Sequence, residues 1–187
     1  QAEDGIRDVE RSRGLGDVYK RQEENRRDYR ELLFRSDGMV GNIGGVILFD
    51  ETIRQNAADG TSLVDLISSQ GALPGIKVDK GLQQMDDSEE SLTQGLDGLD
   101  ERLKEYFALG ARFTKWRAVI NIGMGLPSSE AISANMEALA DYAKIVQNNN
   151  MVPMVEPEVL MEGDHSIDAC YKATSKCLDS LFSNLSL

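Results

Sequence analysis

Four short runs of apolar and β-branched residues recur along the chain, at spacings of 30 to 40 residues. Continuous apolar runs of this length are typical of parallel strands that are covered on both faces. The pattern therefore predicts four parallel strands. They are Ile43–Phe49, Gly75–Asp79, Ala111–Arg117 and Met151–Glu156.

Between and around these runs, apolar residues recur at helical spacing. The predicted helices are Glu23–Phe34, Thr61–Gln70, Asp97–Leu109, Ser128–Asn149 and Asp164–Phe182. Strand and helix therefore alternate, as in βαβ units. Neither a G-x-G-x-x-G nor a G-x-x-x-x-G-K-[ST] motif is found, and these are the leading nucleotide-site motifs of open sheets. The fold class we predict is α/β, as part of a (β/α)₈ barrel.

The first 22 residues have neither a helical nor a strand period, and their five acids and five bases cancel. Ser12–Gln22 (SRGLGDVYKRQ) resembles the conceptual translation of a transposase-based sequencing adapter. A native tail or a transit peptide is the alternative, although five acids argue against a transit peptide. We therefore divide the chain into a disordered adapter-derived segment, residues 1–22, and a partial barrel, residues 23–187, and expect that the natural protein is longer.

Composition and charge exclude several classes of protein. The content of 41% hydrophobic and 28% charged residues is that of a globular domain. A net charge of −12 argues against nucleic-acid binding, and no apolar run approaches the roughly eighteen residues that cross a bilayer. Cys170 and Cys177 lie about two helical turns apart, roughly 10 Å, which is too far for a disulfide. We expect a cytoplasmic location.

Three of the predicted strands end in two charged residues at positions i and i+2, which point to the same face of a strand. The pairs are Lys77 with Asp79, Lys115 with Arg117, and Glu156 with Glu158. In a barrel, the carboxyl ends of the strands form the rim on which active sites are built. The pairs therefore predict one pocket for an anionic, polyhydroxylated ligand that needs proton transfer.

Other interpretations of these residues remain open at this point. Charged strand ends can simply form solvated ion pairs, and the pairs alone do not exclude another phosphosugar lyase or isomerase. A metal-dependent aldolase would need clustered histidines. The chain has one histidine, His165, for which a solvated or capping role at a helix start is expected. We predict no metal and no cofactor.

Longer runs around the charge pairs resemble class I fructose-1,6-bisphosphate aldolases. They are ENRRDYRELLF at 24–34, GGVILFDET at 44–52, PGIKVDKG at 74–81, TQGLDGLDER at 93–102, KWR at 115–117 and VPMVEPEVL at 152–160. The resemblance covers residues 23–187 and implies strands two to five of a (β/α)₈ barrel. It also implies a lyase of glycolysis and gluconeogenesis that cleaves fructose 1,6-bisphosphate reversibly into dihydroxyacetone phosphate and glyceraldehyde 3-phosphate.

In that family a lysine forms a Schiff base with the ketone, and its iminium is the electron sink for cleavage. By position, the resemblance makes Glu156 the main general acid/base, Glu158 its neighbouring acid, and Lys115 the ammonium beside the Schiff-base lysine.

The resemblance further places Lys77 and Arg117 at the phosphate end of the substrate and makes Asp79 the carboxylate that orients the lysines. The run Thr93–Leu99 resembles family sequence at a subunit interface, so a homotetramer is implied for the full-length protein.

One departure from the family pattern concerns the nucleophile. The family's Schiff-base lysine follows on the sixth strand, in a Leu-Lys-Pro context, whereas this sequence ends at Leu187; Lys172 and Lys176, on the last helix, are no substitutes. We therefore expect the 187-residue chain to be inactive and poorly soluble. The alternative function is a non-catalytic scaffolding or binding role.

Overall fold

A parallel four-stranded sheet is the centre of the computed structural model, which describes residues 18–85 and 88–186. Two further strands form a small antiparallel hairpin. The strands are β1 (Gly45–Leu48), β2 (Leu73–Lys77), β3 (Leu82–Gln84), β4 (Ser91–Thr93), β5 (Phe113–Ile120) and β6 (Val152–Val159). The sheet order is β1-β2-β5-β6. The β3–β4 hairpin is a separate sheet that lies between β2 and β5 in the sequence. The predicted α/β partial barrel is confirmed, and the sheet is not closed.

Helices follow the strands as predicted. They are α1 (Val18–Phe34), α2 (Asp50–Ile53), α3 (Leu63–Ser69), α4 (Leu99–Ala108), α5 (Ser129–Asn148) and α6 (Ile167–Leu185), with a 3₁₀ turn at Asp37–Met39. Three of them begin after a serine whose hydroxyl accepts a backbone N–H of the first turn, namely Ser62, Ser128 and Ser166. These bonds satisfy amides that the helix itself leaves unpaired.

Side chains of β5 alternate between the two faces of the sheet. Thr114, Trp116, Ala118 and Ile120 are buried beneath the helices, while the residues between them are half-buried on the other face. The Trp116 ring packs against Tyr142 of α5, with centroids 5.3 Å apart. The Tyr142 hydroxyl shares a hydrogen bond with the Thr114 hydroxyl, and burial raises the pKa of this phenol. Trp116 is thus a core residue.

The opposite face of the sheet, which we call the interior face, carries the ring of Phe113 at the amino-terminal end of β5. The ring of Phe113 lies over the backbone of glycines in β1 and β2. A Cβ at Gly75 would stand 2.3 Å from the nearest atom of this ring. A Cβ at Gly45 would stand 2.9 Å from the same ring. Glycine at these two positions leaves room for Phe113, and the charged residues follow further along the strands.

Two elements were not predicted, and several boundaries differ, most notably β5 and β6, which continue to Ile120 and Val159. The helix α2 and the β3–β4 hairpin were not predicted. Helix α1 begins at Val18, so residues 18–22 are helical rather than disordered, and Gln22 is buried. The interpretation of residues 1–17 as adapter-derived lies outside the described residues. Within the described ranges, no helix is both long and apolar enough to span a bilayer.

Candidate active site

The register of the sheet brings the predicted charged residues onto the interior face. Lys77 of β2 pairs with Lys115 of β5, and Arg117 pairs with Glu156 of β6. Because paired residues of adjacent strands point to the same side, and i and i+2 do so as well, Asp79 and Glu158 belong to this set by strand periodicity. Lys77 and Glu158 lie near the carboxyl ends of their strands. Lys115 and Arg117 instead lie inside β5, which continues to Ile120, so the prediction that this pair ends its strand is wrong.

The charges are paired mainly between strands. The Lys77 Nζ lies 2.6 Å from the Asp79 Oδ1. Of the three i, i+2 pairs in the sequence, this is the one whose two members form an ion pair with each other. The Lys115 Nζ lies 2.8 Å from the Glu156 Oε2, whereas the Arg117 Nη1 lies 3.2 Å from the Glu158 Oε2. Each of these two cations reaches diagonally to the carboxylate two residues beyond its own level on β6. Two like-charged pairs in the sequence thus become two ion pairs in the fold.

These ion pairs are neither fully solvated nor closed off. Side-chain exposure is 23 to 26% for the three cations, 35 and 39% for the two glutamates, and 5% for Asp79. The simplest alternative interpretation, solvated surface pairs, does not fit a carboxylate as buried as Asp79.

Three carboxylate oxygens on this face retain hydrogen-bonding capacity. Among the described residues, the Oδ2 of Asp79 has no hydrogen-bond partner although it is buried. The Oε2 atoms of Glu156 and Glu158 lie at ion-pair distance from their cations, but the angles are outside hydrogen-bonding geometry. An unsatisfied buried acceptor costs about 1–3 kcal/mol, so the Asp79 Oδ2 in particular has the capacity to accept a hydrogen bond from a hydroxyl group or water.

The six residues are divided between one cleft and the open interior face. A cleft of about 420 Å³ takes in Lys77 and Asp79, together with Phe49 and residues of α4. The Lys77 ammonium lies 5.7 Å from the centre of the Phe49 ring. Lys115, Arg117, Glu156 and Glu158 lie on the open interior face instead. The strand ends do converge, but four strands cannot enclose the space between them.

Side chains of β4 and α4 hold the backbone of β2 and β5 next to the candidate site residues, and the sequence analysis did not identify this role. The Arg102 Nη1 donates to the Val78 carbonyl oxygen at 2.9 Å, and its Nη2 donates to the Gly95 carbonyl oxygen. The Thr93 hydroxyl donates to the Arg117 carbonyl oxygen at 2.8 Å. Both side chains therefore fix the backbone next to candidate site residues.

Gly95 is the residue that lets this segment approach the sheet so closely. Its φ is +133°, and a Cβ there would meet the Lys80 backbone nitrogen at 3.0 Å and the Trp116 ring at 3.2 Å. Gly95 and Arg102 both lie in the run TQGLDGLDER, which the sequence analysis singled out. Nothing in this local pattern indicates which strand the arginine binds.

The remaining predicted residues lie on or near α6. His165 precedes the helix and is half-buried, while Ser166 makes the capping bond, so the capping role expected of His165 belongs to its neighbour. Cys170 and Cys177 are both free thiols, and burial raises the pKa of Cys177. Neither cysteine belongs to the site.

The chain is similar to known proteins both in sequence and in structure. Residues 17–187 match the family model described as fructose-bisphosphate aldolase class-I. A probable fructose-bisphosphate aldolase class 1 of Xanthomonas campestris is 55% identical over 164 residues, which are 87% of this chain and 49% of that protein. The cytosolic fructose-bisphosphate aldolase 6 of Arabidopsis thaliana is 50% identical, over 88% of this chain and 46% of its own length.

Among solved structures, fructose-bisphosphate aldolase from Plasmodium falciparum, in complex with TRAP and a small-molecule inhibitor, superposes with a TM-score of 0.82. The two sequences are 48% identical, and the match covers 84% of this chain and 46% of that one. The chain spans about half the length of the relatives it matches.

Proposed function

The chain belongs to the class I fructose-bisphosphate aldolase family, and from this premise we propose that the full-length protein cleaves fructose 1,6-bisphosphate through a lysine Schiff base. The products are dihydroxyacetone phosphate and glyceraldehyde 3-phosphate, and the reaction is reversible. The observation that carries the proposal is the Lys115–Glu156 ion pair of 2.8 Å on the interior face of the sheet.

The proton transfers are assigned to Glu156. A lysine amine from the other half of the barrel attacks the ketone carbon, and the carbinolamine loses water to give the iminium. A base then removes the proton of the substrate's C4 hydroxyl, the C3–C4 bond breaks, and its electron pair moves into the iminium to form an enamine. Glu156, half-exposed and with one oxygen that accepts no hydrogen bond from a described residue, has the capacity for these steps.

Electrostatics on the same face suit the nucleophile and the substrate. The Lys115 ammonium disfavours protonation of a neighbouring amine, so the Schiff-base lysine stays neutral and nucleophilic. Arg117 and Lys77 are the proposed phosphate-binding cations, since guanidinium and ammonium groups donate well to phosphate oxygens. Asp79, bonded to the Lys77 Nζ at 2.6 Å, holds that ammonium in place.

We propose that the 187-residue chain by itself does not turn over substrate. Both lysines of the interior face, Lys77 and Lys115, are held in ion pairs with Asp79 and Glu156, and neither stands in the family's Schiff-base context. The Leu-Lys-Pro triplet of the family's Schiff-base lysine does not occur in the sequence.

A chimera tests the catalytic assignment. The aligned segment of the Xanthomonas relative is replaced by residues 23–187 of this chain, and cleavage of fructose 1,6-bisphosphate is measured. We expect the chimera to be active, and Glu156→Gln to lower kcat by about 10²- to 10⁴-fold, because a general acid/base contributes about that much. Lys115→Met should lower it similarly.

The matched control is Lys144→Met, which removes an exposed lysine of α5 away from the interior face and should leave kcat unchanged. Full activity of the Glu156→Gln chimera would refute the role of Glu156. Cleavage by the unmodified 187-residue chain would refute the proposal that the nucleophile lies elsewhere.

For the assembly and location of the full-length protein, we propose a cytoplasmic homotetramer. The cytosolic Arabidopsis relative supports the location. The run Thr93–Leu99, which resembles family sequence at a subunit interface, is exposed at Asp97 and Gly98 while Thr93 and Leu99 are buried. An interface would therefore use the turn before α4, and sedimentation of the full-length protein would measure the subunit number.

The second candidate is a non-catalytic binding role, and one observation favours it: the Plasmodium neighbour was solved in complex with TRAP. For this chain, binding of a protein partner that persists in Glu156→Gln and Lys115→Met would favour the scaffold. Loss of binding together with loss of cleavage would place the partner on the candidate active site.

A further inference from the structure

A larger cleft lies apart from the interior face, between the loop after β5 and the first turns of α6. Its volume of about 630 Å³ is within the range of small-molecule sites. One wall is apolar and is formed by Ile122, Leu126 and Pro127 of the loop. The facing wall is formed by α6, where Ala169 and Ala173 leave space between longer side chains.

The α6 wall carries two lysines with no ion-pair partner in the described part of the chain. Lys172 and Lys176 are one helical turn apart, so their side chains share a face of the helix and line the cleft together. Like charges at this spacing repel each other, and an anion bound between them would remove that repulsion. Asp164 is the one carboxylate in the lining.

His165 adds a third polar group to the same cleft. Its Nδ1 is buried, and no described residue forms a hydrogen bond with it. Gly163 permits the close approach of this ring, since a Cβ there would stand 3.2 Å from the Nδ1, at a φ of +128°. The histidine is therefore held in the wall of the cleft with an unused ring nitrogen.

We propose that this cleft binds a phosphate monoester whose organic group is apolar or aromatic. The two ammonium groups match the charge of a phosphate dianion. The organic group packs against Ile122, Leu126 and Pro127. None of the six candidate active-site residues contributes, so the inference does not depend on the proposed catalytic function.

Ligand-observed NMR on the 187-residue chain tests the inference, with phenyl phosphate as the probe. Saturation transfer to the aromatic protons of the probe is measured as a function of its concentration, and inorganic phosphate is the competitor. We expect saturable transfer that inorganic phosphate reduces. Lys172→Gln and Lys176→Gln should each weaken binding by about tenfold or more, the effect of one charge-assisted hydrogen bond.

Three matched variants make the outcome decisive. Lys172→Arg keeps the charge and should retain binding, while Lys144→Gln removes an exposed lysine of α5 outside the cleft and should have no effect. Equal weakening by Lys144→Gln and Lys172→Gln would show charge screening only and overturn the proposal. Binding that survives both cleft variants but is lost in Arg117→Met would place the probe on the interior face and overturn it as well. Transfer that does not saturate would overturn it directly.

Discussion

At the scale of single residues, Phe113 and Gly75 show how one side chain determines the size of its neighbour. The Phe113 ring fills the volume in which a Cβ of Gly75 would stand, at 2.3 Å from the nearest ring atom. Real Cβ atoms do not approach aromatic carbons so closely, and both backbone segments are fixed in the parallel ladder. This glycine is therefore required by packing.

Gly75→Ala should lower the free energy of unfolding by about 1–3 kcal/mol, the usual cost of overpacking a well-filled site. Urea denaturation followed by circular dichroism measures it. Gly44→Ala is the matched control, because a Cβ there meets no atom within 4 Å, and it should be neutral. The double variant Gly75→Ala, Phe113→Leu should recover part of the loss. A neutral Gly75→Ala would contradict the packing argument.

At the scale of elements, β4 and α4 brace the backbone of two strands next to charged residues, through Thr93 at Arg117 and through Arg102 at Val78. Arg102 binds carbonyl oxygens on both sides, at Val78 next to Asp79 and at Gly95. Its helix follows an antiparallel hairpin whose six strand residues gave no strand signal of their own. The strands β3 and β4 are three residues each, and strands this short have too few side chains to show a period.

Arg102→Met should lower the free energy of unfolding by about 1.5–3 kcal/mol, because it removes charge-assisted hydrogen bonds and leaves two carbonyls without their donor. Arg102→Lys should recover part of this, since one ammonium cannot donate as a planar fork. Urea denaturation is again the measurement.

The control for this experiment is Arg112→Met, in which an exposed arginine loses bonds to carbonyls of its own neighbourhood, at Phe107 and Ala111. We expect a change within about 0.5 kcal/mol for it, as for most surface substitutions. If Arg102→Met and Arg112→Met destabilised the chain equally, Arg102 would not be a brace.

At the scale of the whole molecule, the described chain exposes a stripe of large apolar side chains along α6. Ile167 is 82% exposed, Tyr171 73% and Phe182 61%. The interior face adds Leu73 and Val152, which are more than half exposed. Large apolar side chains exposed in this number are typical of interaction faces rather than of a monomer.

The 187-residue chain should therefore self-associate in a concentration-dependent manner, which light scattering after size-exclusion chromatography measures. Tyr171→Lys with Phe182→Lys should shift the distribution toward monomer, because two charges interrupt the stripe. Met124→Lys, at a fully exposed methionine on the loop after β5, should not shift it. A wild-type chain that is monomeric at every concentration would contradict the prediction.

The sequence by itself determined the order of the major elements, the face on which each charged pair lies, and the family. These features depend on neighbours along the chain: apolar periodicity, serine caps, and the two-residue repeat that places Lys115 with Arg117 and Glu156 with Glu158. The tertiary structure alone decided which cation pairs with which carboxylate, that Arg102 braces Val78, and that all six residues lie on one face of the sheet. Those results depend on strand register and on contacts between distant segments, which no local pattern records.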